Sequence, residues 1–101
     1  MEQDARIDAA TAARELTLAL LFLNRFREKV GPNSVWRAWK GFDFDTLDKL
    51  EEAGLISSSR TAKSVYLTDE GLAEARRLLN KFGIANWPNL QEKISAERAD
   101  A

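Results

Sequence analysis

The chain contains no cysteine and no histidine. It therefore lacks thiolate and imidazole, the ligands that dominate zinc, copper, haem and iron–sulfur sites. The same absence removes disulfides and every nucleophile scheme built on a Ser–His or Cys–His pair. Glycine is sparse: Gly31, Gly41, Gly54, Gly71 and Gly83 are too widely spaced to build a phosphate-cradling loop. No metal and no organic cofactor is expected. An excess of one charge sign is also missing, with 15 Lys and Arg against 16 Asp and Glu, so no global basic field advertises nucleic acid or an anionic membrane. The longest apolar run, Leu16 to Leu23, is broken by Thr17 and falls far short of the ~20 residues that a membrane span needs. Met1 to Asp4 holds two acids and no basic residue, which fits neither a secretory signal nor a transit peptide and points to the cytoplasm.

What is present is the composition of an ordinary globular protein. With 101 residues, 45% hydrophobic and 31% charged, the chain predicts a single domain over 1–101, its core in residues 5–83. Residues 4–30 are rich in Ala, Leu, Arg and Glu, contain neither Gly nor Pro, and stop at Gly31-Pro32, which predicts one long first helix. Its centre, residues 16–23, is apolar nearly all the way round, so a single core-facing stripe does not bury it. That predicts a homodimer with Leu16, Leu18, Leu20, Phe22 and Leu23 at the interface.

Ser34 reads as the cap of a short helix over 35–40, and Asp43 as the cap of a helix over 44–53 that Gly54 ends. Leu55-Ile56 and Val65-Tyr66-Leu67 are β-prone, with the polar residues 57–63 as a hairpin tip between them. Thr68 caps a further helix that Gly83 closes, with Asp69 and Glu70 in its first turn and Arg76, Arg77 and Lys81 later, as the helix dipole favours. Pro88 opens a last helix over about 88–98. Gly71 reads as a close-packed helix start.

Helix, short helix, helix, hairpin, helix is the order of elements in a winged helix, with the turn of a helix-turn-helix at residues 40–43. Leu47-Asp48-Lys49-Leu50-Glu51-Glu52-Ala53-Gly54-Leu55-Ile56, followed by Lys63-Ser64-Val65-Tyr66-Leu67-Thr68-Asp69-Glu70-Gly71, resembles the passage from recognition helix through wing to following helix in regulators of the MarR and PadR kind. Arg37-Ala38-Trp39-Lys40-Gly41-Phe42-Asp43-Phe44-Asp45 looks closer to a family of small bacterial proteins of unknown function that share this Trp-Lys-Gly-Phe segment, and the likeness runs from Leu16 to Phe82. The resemblance implies a mainly α winged helix-turn-helix with a two-stranded β wing and additional N- and C-terminal helices. It carries over no activity.

Function is then argued from the residues. Asp43, Asp45 and Asp48 have a spacing that suits a hard cation, but a cap and a positively polarised first turn explain them without one. Lys63, Ser64 and Tyr66 form no acid/base trio, because no base stands beside the hydroxyl. Trp36, Trp39, Phe42 and Phe44 read either as a stacking platform or partner anchor, or as core. The simpler reading buries Trp39 and Phe44 and leaves Trp36 the most exposed.

The helix over 43–53 sets five acids against the single Lys49. Phosphate repels such a helix, and Lys49 alone is of the type that reads base edges. Arg37 and Lys40 before it, with Arg60 and Lys63 in the wing, add four positive charges and no acid. Two functions follow, neither of them enzymatic. In one, a regulator-like dimer associates with DNA, gripping phosphate through Arg37, Lys40, Arg60 and Lys63, with Lys49 as a base contact. In the other, a protein-interaction module docks Asp45, Asp48, Glu52 and Trp36 on a basic partner.

Overall fold

Capping side chains set where helices begin. The computed structural model describes residues 7–87, and within them the Asp8 carboxylate accepts the Thr11 backbone N–H at 2.8 Å to start α1, Ala9–Leu23. That bond holds the Asp8 carboxyl below its ordinary range. Neither Gly nor Pro ends α1. Asn24 does so, its backbone N–H and its Nδ2 both donating to the Leu20 carbonyl.

The chain then turns into strands rather than continuing as helix. β1, Phe26–Val30, and β2, Asn33–Trp39, form an antiparallel hairpin in which Val30 faces Asn33 across a two-residue turn. Gly31 occupies the first turn position at φ +61°, a conformation that favours glycine, and Pro32 the second. α2, Phe44–Glu52, follows the Asp43 cap. β3, Ile56–Ser57, and β4, Ser64–Leu67, come next, and α3, Asp69–Lys81, begins at Thr68. All four strands join one antiparallel sheet in the order β1-β2-β4-β3.

Among the described residues the fold is thus α+β, three helices with a four-stranded sheet, and the expectation of a mainly α winged helix with a two-stranded wing is corrected. The passage from α2 through β3 and β4 to α3 follows the sequence reading. What precedes it does not. Residues 26–30 are strand where a helix over 4–30 was expected, and residues 33–39 are strand where Ser34 was read as the cap of a short helix. Residues 40–43 therefore join a strand to a helix, and no helix-turn-helix forms. The cause is that Val35, Trp36 and Trp39 are strand formers, while the Gly31-Pro32 pair that stops a helix serves equally as a hairpin corner. The helix expected over 88–98 lies outside the described residues.

Alternation along the strands divides the sheet into two faces. Ala38, Val65, Ile56 and Leu67 point inward and are buried. Against them pack Leu18, Ala19, Leu21 and Phe22 of α1, Leu47 and Leu50 of α2, and Ala75, Leu78 and Leu79 of α3. Phe22 sits at the centre, its ring 5.5 Å edge-on from Trp87 and 3.9 Å from the buried Arg25 guanidinium. One side of the apolar α1 is therefore covered by its own chain, with β2 against it and α2 and α3 alongside. Of the five residues expected at a dimer interface, Leu18 and Phe22 lie inside this core, Leu23 packs against it, and Leu16 and Leu20 remain exposed.

A tight joint fixes α3 to the end of α2. Thr68 Oγ1 accepts the Gly71 N–H at 2.9 Å and donates to the Gly54 carbonyl at 2.7 Å. Its own N–H donates to the Leu55 carbonyl. Gly71 lies so close that a Cβ there would fall 1.9 Å from the Leu55 oxygen, as its reading as a close-packed helix start anticipated.

Candidate functional site

The outer sheet face carries polar and aromatic side chains in rows. Phe26, Arg37, Tyr66 and Ser57 face one another across the four strands, and Trp39 faces Ser64. Arg37 is bound down in this row. Its Nε donates to Ser64 Oγ at 2.7 Å, its Nη1 lies 3.4 Å from Glu28, and its guanidinium covers the Tyr66 ring at 4.1 Å. With its side chain only 11% exposed, Arg37 serves the sheet and does not stand among the free cations expected of it.

A cleft opens beside this face, where the end of β2, the start of α2 and residues 58–63 converge. One lobe, about 450 Å³, is lined by Trp39, Lys40, Phe44, Arg60 and Lys63. A second, about 400 Å³, shares Lys40, Phe44 and Arg60 with the first and runs on to Asp48, Glu51 and Ser58. Backbone bonding builds this corner. The Lys40 N–H donates to the Lys63 carbonyl at 2.9 Å, carrying the β2–β4 ladder one step past Trp39. Lys40 Nζ donates to the Ser59 carbonyl at 2.7 Å, and Glu51 accepts the Ser58 N–H at 3.2 Å, so both α2 and β2 hold the 58–63 segment. Arg60 and Lys63 are exposed and form no ion pair among the described residues.

Both aromatics of the cleft are on the surface. Trp39 is 61% and Phe44 71% exposed, so the expectation that they complete the core is overturned. Alternation is the reason: Ala38 takes the inward position, which sends Trp39 outward, where it stacks on Phe26 at 4.8 Å. Phe44 is the first residue after the Asp43 cap, before α2 meets the core at Leu47. Trp36 takes the opposite side to Trp39 and packs against the core, half-buried rather than the most exposed of the group. Phe26 and Tyr66 were not legible as site neighbours, because their place depends on strand register.

Three of the four expected phosphate contacts, Lys40, Arg60 and Lys63, thus converge, and Arg37 does not join them. Lys49 is elsewhere, in a groove of about 510 Å³ with Arg14, Glu15, Glu52 and Glu74 between the three helices. There Glu74 is held below the ordinary carboxylate range, chiefly by hydrogen bonding from Arg77. The alternative partner face is divided. Asp48 lines the cleft, Glu52 the groove, Asp45 is exposed on α2, and Trp36 turns to the core. Asp43 is occupied as a cap, accepting from Thr46 N–H and Oγ1 at 3.0 and 3.2 Å. Among the described residues no group of three or more acids is gathered as a metal site, and no helix is long and apolar enough to cross a membrane.

A family model described as a domain of unknown function, DUF6429, matches residues 9–85, which span α1 to the end of α3. The chain belongs to the DUF6429 family. It is also similar to the uncharacterized protein y4hR of Sinorhizobium fredii (strain NBRC 101917 / NGR234), 41% identical over 69 residues that cover 67% of this chain and 84% of that protein. No solved structure matches. The expected kinship with a small bacterial family of unknown function holds, whereas the winged-helix resemblance finds no match. The cleft lies wholly within the DUF6429 segment.

Proposed function

We propose that this DUF6429 domain is a non-enzymatic nucleic-acid-binding module that holds phosphate through Lys40, Arg60 and Lys63. The observation that carries the reading is the convergence of these cations, two of them without an ion pair among the described residues, around exposed Trp39 and Phe44. Cations position a sugar–phosphate backbone, and exposed aromatic faces offer bases a surface on which to stack. The Lys63, Ser64 and Tyr66 group favours no chemistry, since the buried Ser64 hydroxyl is taken up by Arg37. Where the module acts as a dimer, its self-contact runs through Leu16 and Leu20, the exposed pair on α1.

Titration of mixed-sequence single-stranded and duplex oligonucleotides at low salt tests the proposal. Binding at micromolar protein that weakens in the Arg60→Ala, Lys63→Ala double variant is the expected result. No binding of either form defeats it.

One observation favours a second reading, an acidic docking face for a basic protein. Asp45, Asp48, Glu51 and Glu52 are all exposed on α2. On that reading Asp45→Asn with Asp48→Asn slows partner association, whereas on the first Asp45→Asn alone strengthens nucleic-acid binding by relieving repulsion.

A further inference from the structure

We infer that the ligand of the cleft is a single strand, and that one unpaired base enters between Trp39 and Phe44 with its polar edge toward Asp48 and Glu51. The inference rests on the nucleic-acid reading above and goes further by fixing the form of the ligand and the edge that is read.

Three features carry it. First, a duplex keeps its base faces stacked inside and presents only groove edges and backbone, so it has no use for two aromatic side chains exposed to this degree. A single strand has free base faces, and stacking them on aromatic rings is what retains it. Trp39 is also braced for this, since Phe26 stacks on its ring at 4.8 Å.

Second, charge is graded along the cleft. Lys63 lies in the lobe with Trp39, Asp48 and Glu51 lie in the other, and Lys40 and Arg60 border both. A backbone is therefore held at the Trp39 end and repelled at the α2 end. A duplex laid across the corner would bring phosphates against Asp45 and Asp48, whereas a single strand can leave its backbone at the basic end and send only a base inward.

Third, the lobe beside α2 ends in acceptors. Glu51 already receives the Ser58 N–H on Oε2, and Asp48 accepts from no group among the described residues. Ionised carboxylates only accept hydrogen bonds, so they suit the amine-bearing bases cytosine, adenine and guanine over thymine or uracil, whose single N3–H donor is flanked by two carbonyls.

Fluorescence anisotropy with labelled oligo-dC, oligo-dA, oligo-dT and oligo-rC strands and a hairpin duplex tests this, with Trp39→Ala, Trp39→Phe and Asp48→Asn beside the wild type. Circular dichroism checks that each variant is folded. The expected results are these: single strands bind more tightly than the duplex, DNA and RNA strands both bind, and dC and dA exceed dT by about tenfold. Trp39→Ala weakens the dC complex about tenfold or more while Trp39→Phe keeps most of the affinity, and Asp48→Asn narrows the preference over dT. Equal or tighter binding of the duplex, or a dC affinity untouched in folded Trp39→Ala, overturns the single-strand inference and leaves the phosphate-binding proposal standing. Absence of binding to every probe overturns both.

Discussion

Gly71 is the residue at which the fold tolerates least. Its Cα faces the Leu55 carbonyl so closely that an added methyl meets backbone on the far side, and backbone of a packed joint does not step aside. Gly71→Ala is predicted to destabilise the protein by about 3 kcal/mol, read as a lower urea midpoint with an unchanged m-value; a midpoint equal to that of the wild type contradicts the joint described. Glu74 makes a smaller and pH-dependent contribution. Because Arg77 lowers its folded pKa, the contribution is complete above the ordinary glutamate range and is lost as pH falls through the folded pKa. Glu74→Gln should therefore be slightly less stable at neutral pH, with the gap closing in acid and narrowing in salt, since Arg77 is exposed and Glu74 only half-buried. Thermal melts across pH check this. At this scale the sequence was most informative where a residue has a local duty: Asp43, Thr68 and Gly71 each do what their neighbours in the chain imply. Trp39 and Phe44 were not legible in the same way, because hydrophobicity says that a side chain gains from burial but not whether the inward position at that point is already filled by Ala38 or Leu47.

Elements divide along a similar line. α2 and α3 each begin at a side-chain cap and are followed by a glycine, and the β3–β4 hairpin falls between two such signals, so all of these follow from local chemistry. The β1–β2 hairpin does not. Arg27, Glu28 and Lys29 are acceptable helix residues, and the Ala-rich stretch before them propagates helix in any local reading. What makes them strand is pairing with Val35, Trp36 and Arg37, and the further pairing of Arg37 with Tyr66, a partner far along the chain. The turn that permits it is Gly31, whose φ of +61° an L-residue adopts at a cost of roughly 1–2 kcal/mol. Gly31→Ala is predicted to lower stability by about that amount. The space around the position is open, so the effect should be pure backbone strain. Chemical denaturation decides: a Gly31→Ala midpoint equal to that of the wild type would contradict the strain account.

At the scale of the whole molecule, the described residues form two layers with unequal faces. Three helices cover one side of the sheet and bury the apolar residues, while the other side and the cleft at its edge present Trp39, Phe44 and a cluster of cations. The acidic helix, read as an isolated segment, carries only a run of like charge; folded, it forms one wall of the cleft. Sequence reasoning chose Lys40, Arg60 and Lys63 from charge alone. It could not set Arg37 apart, because only the sheet brings Ser64, Glu28 and Tyr66 around that guanidinium. The central claim is that exposed cations of this cleft hold phosphate, and the salt dependence of single-strand binding tests it most directly. For wild type, the logarithm of the association constant should fall linearly with the logarithm of salt concentration. For the Arg60→Ala, Lys63→Ala double variant the line should lie lower at low salt and be flatter by about 1 to 1.5 units, the loss of two phosphate contacts on a single strand. Parallel lines for the two proteins, or an affinity indifferent to salt, would contradict it.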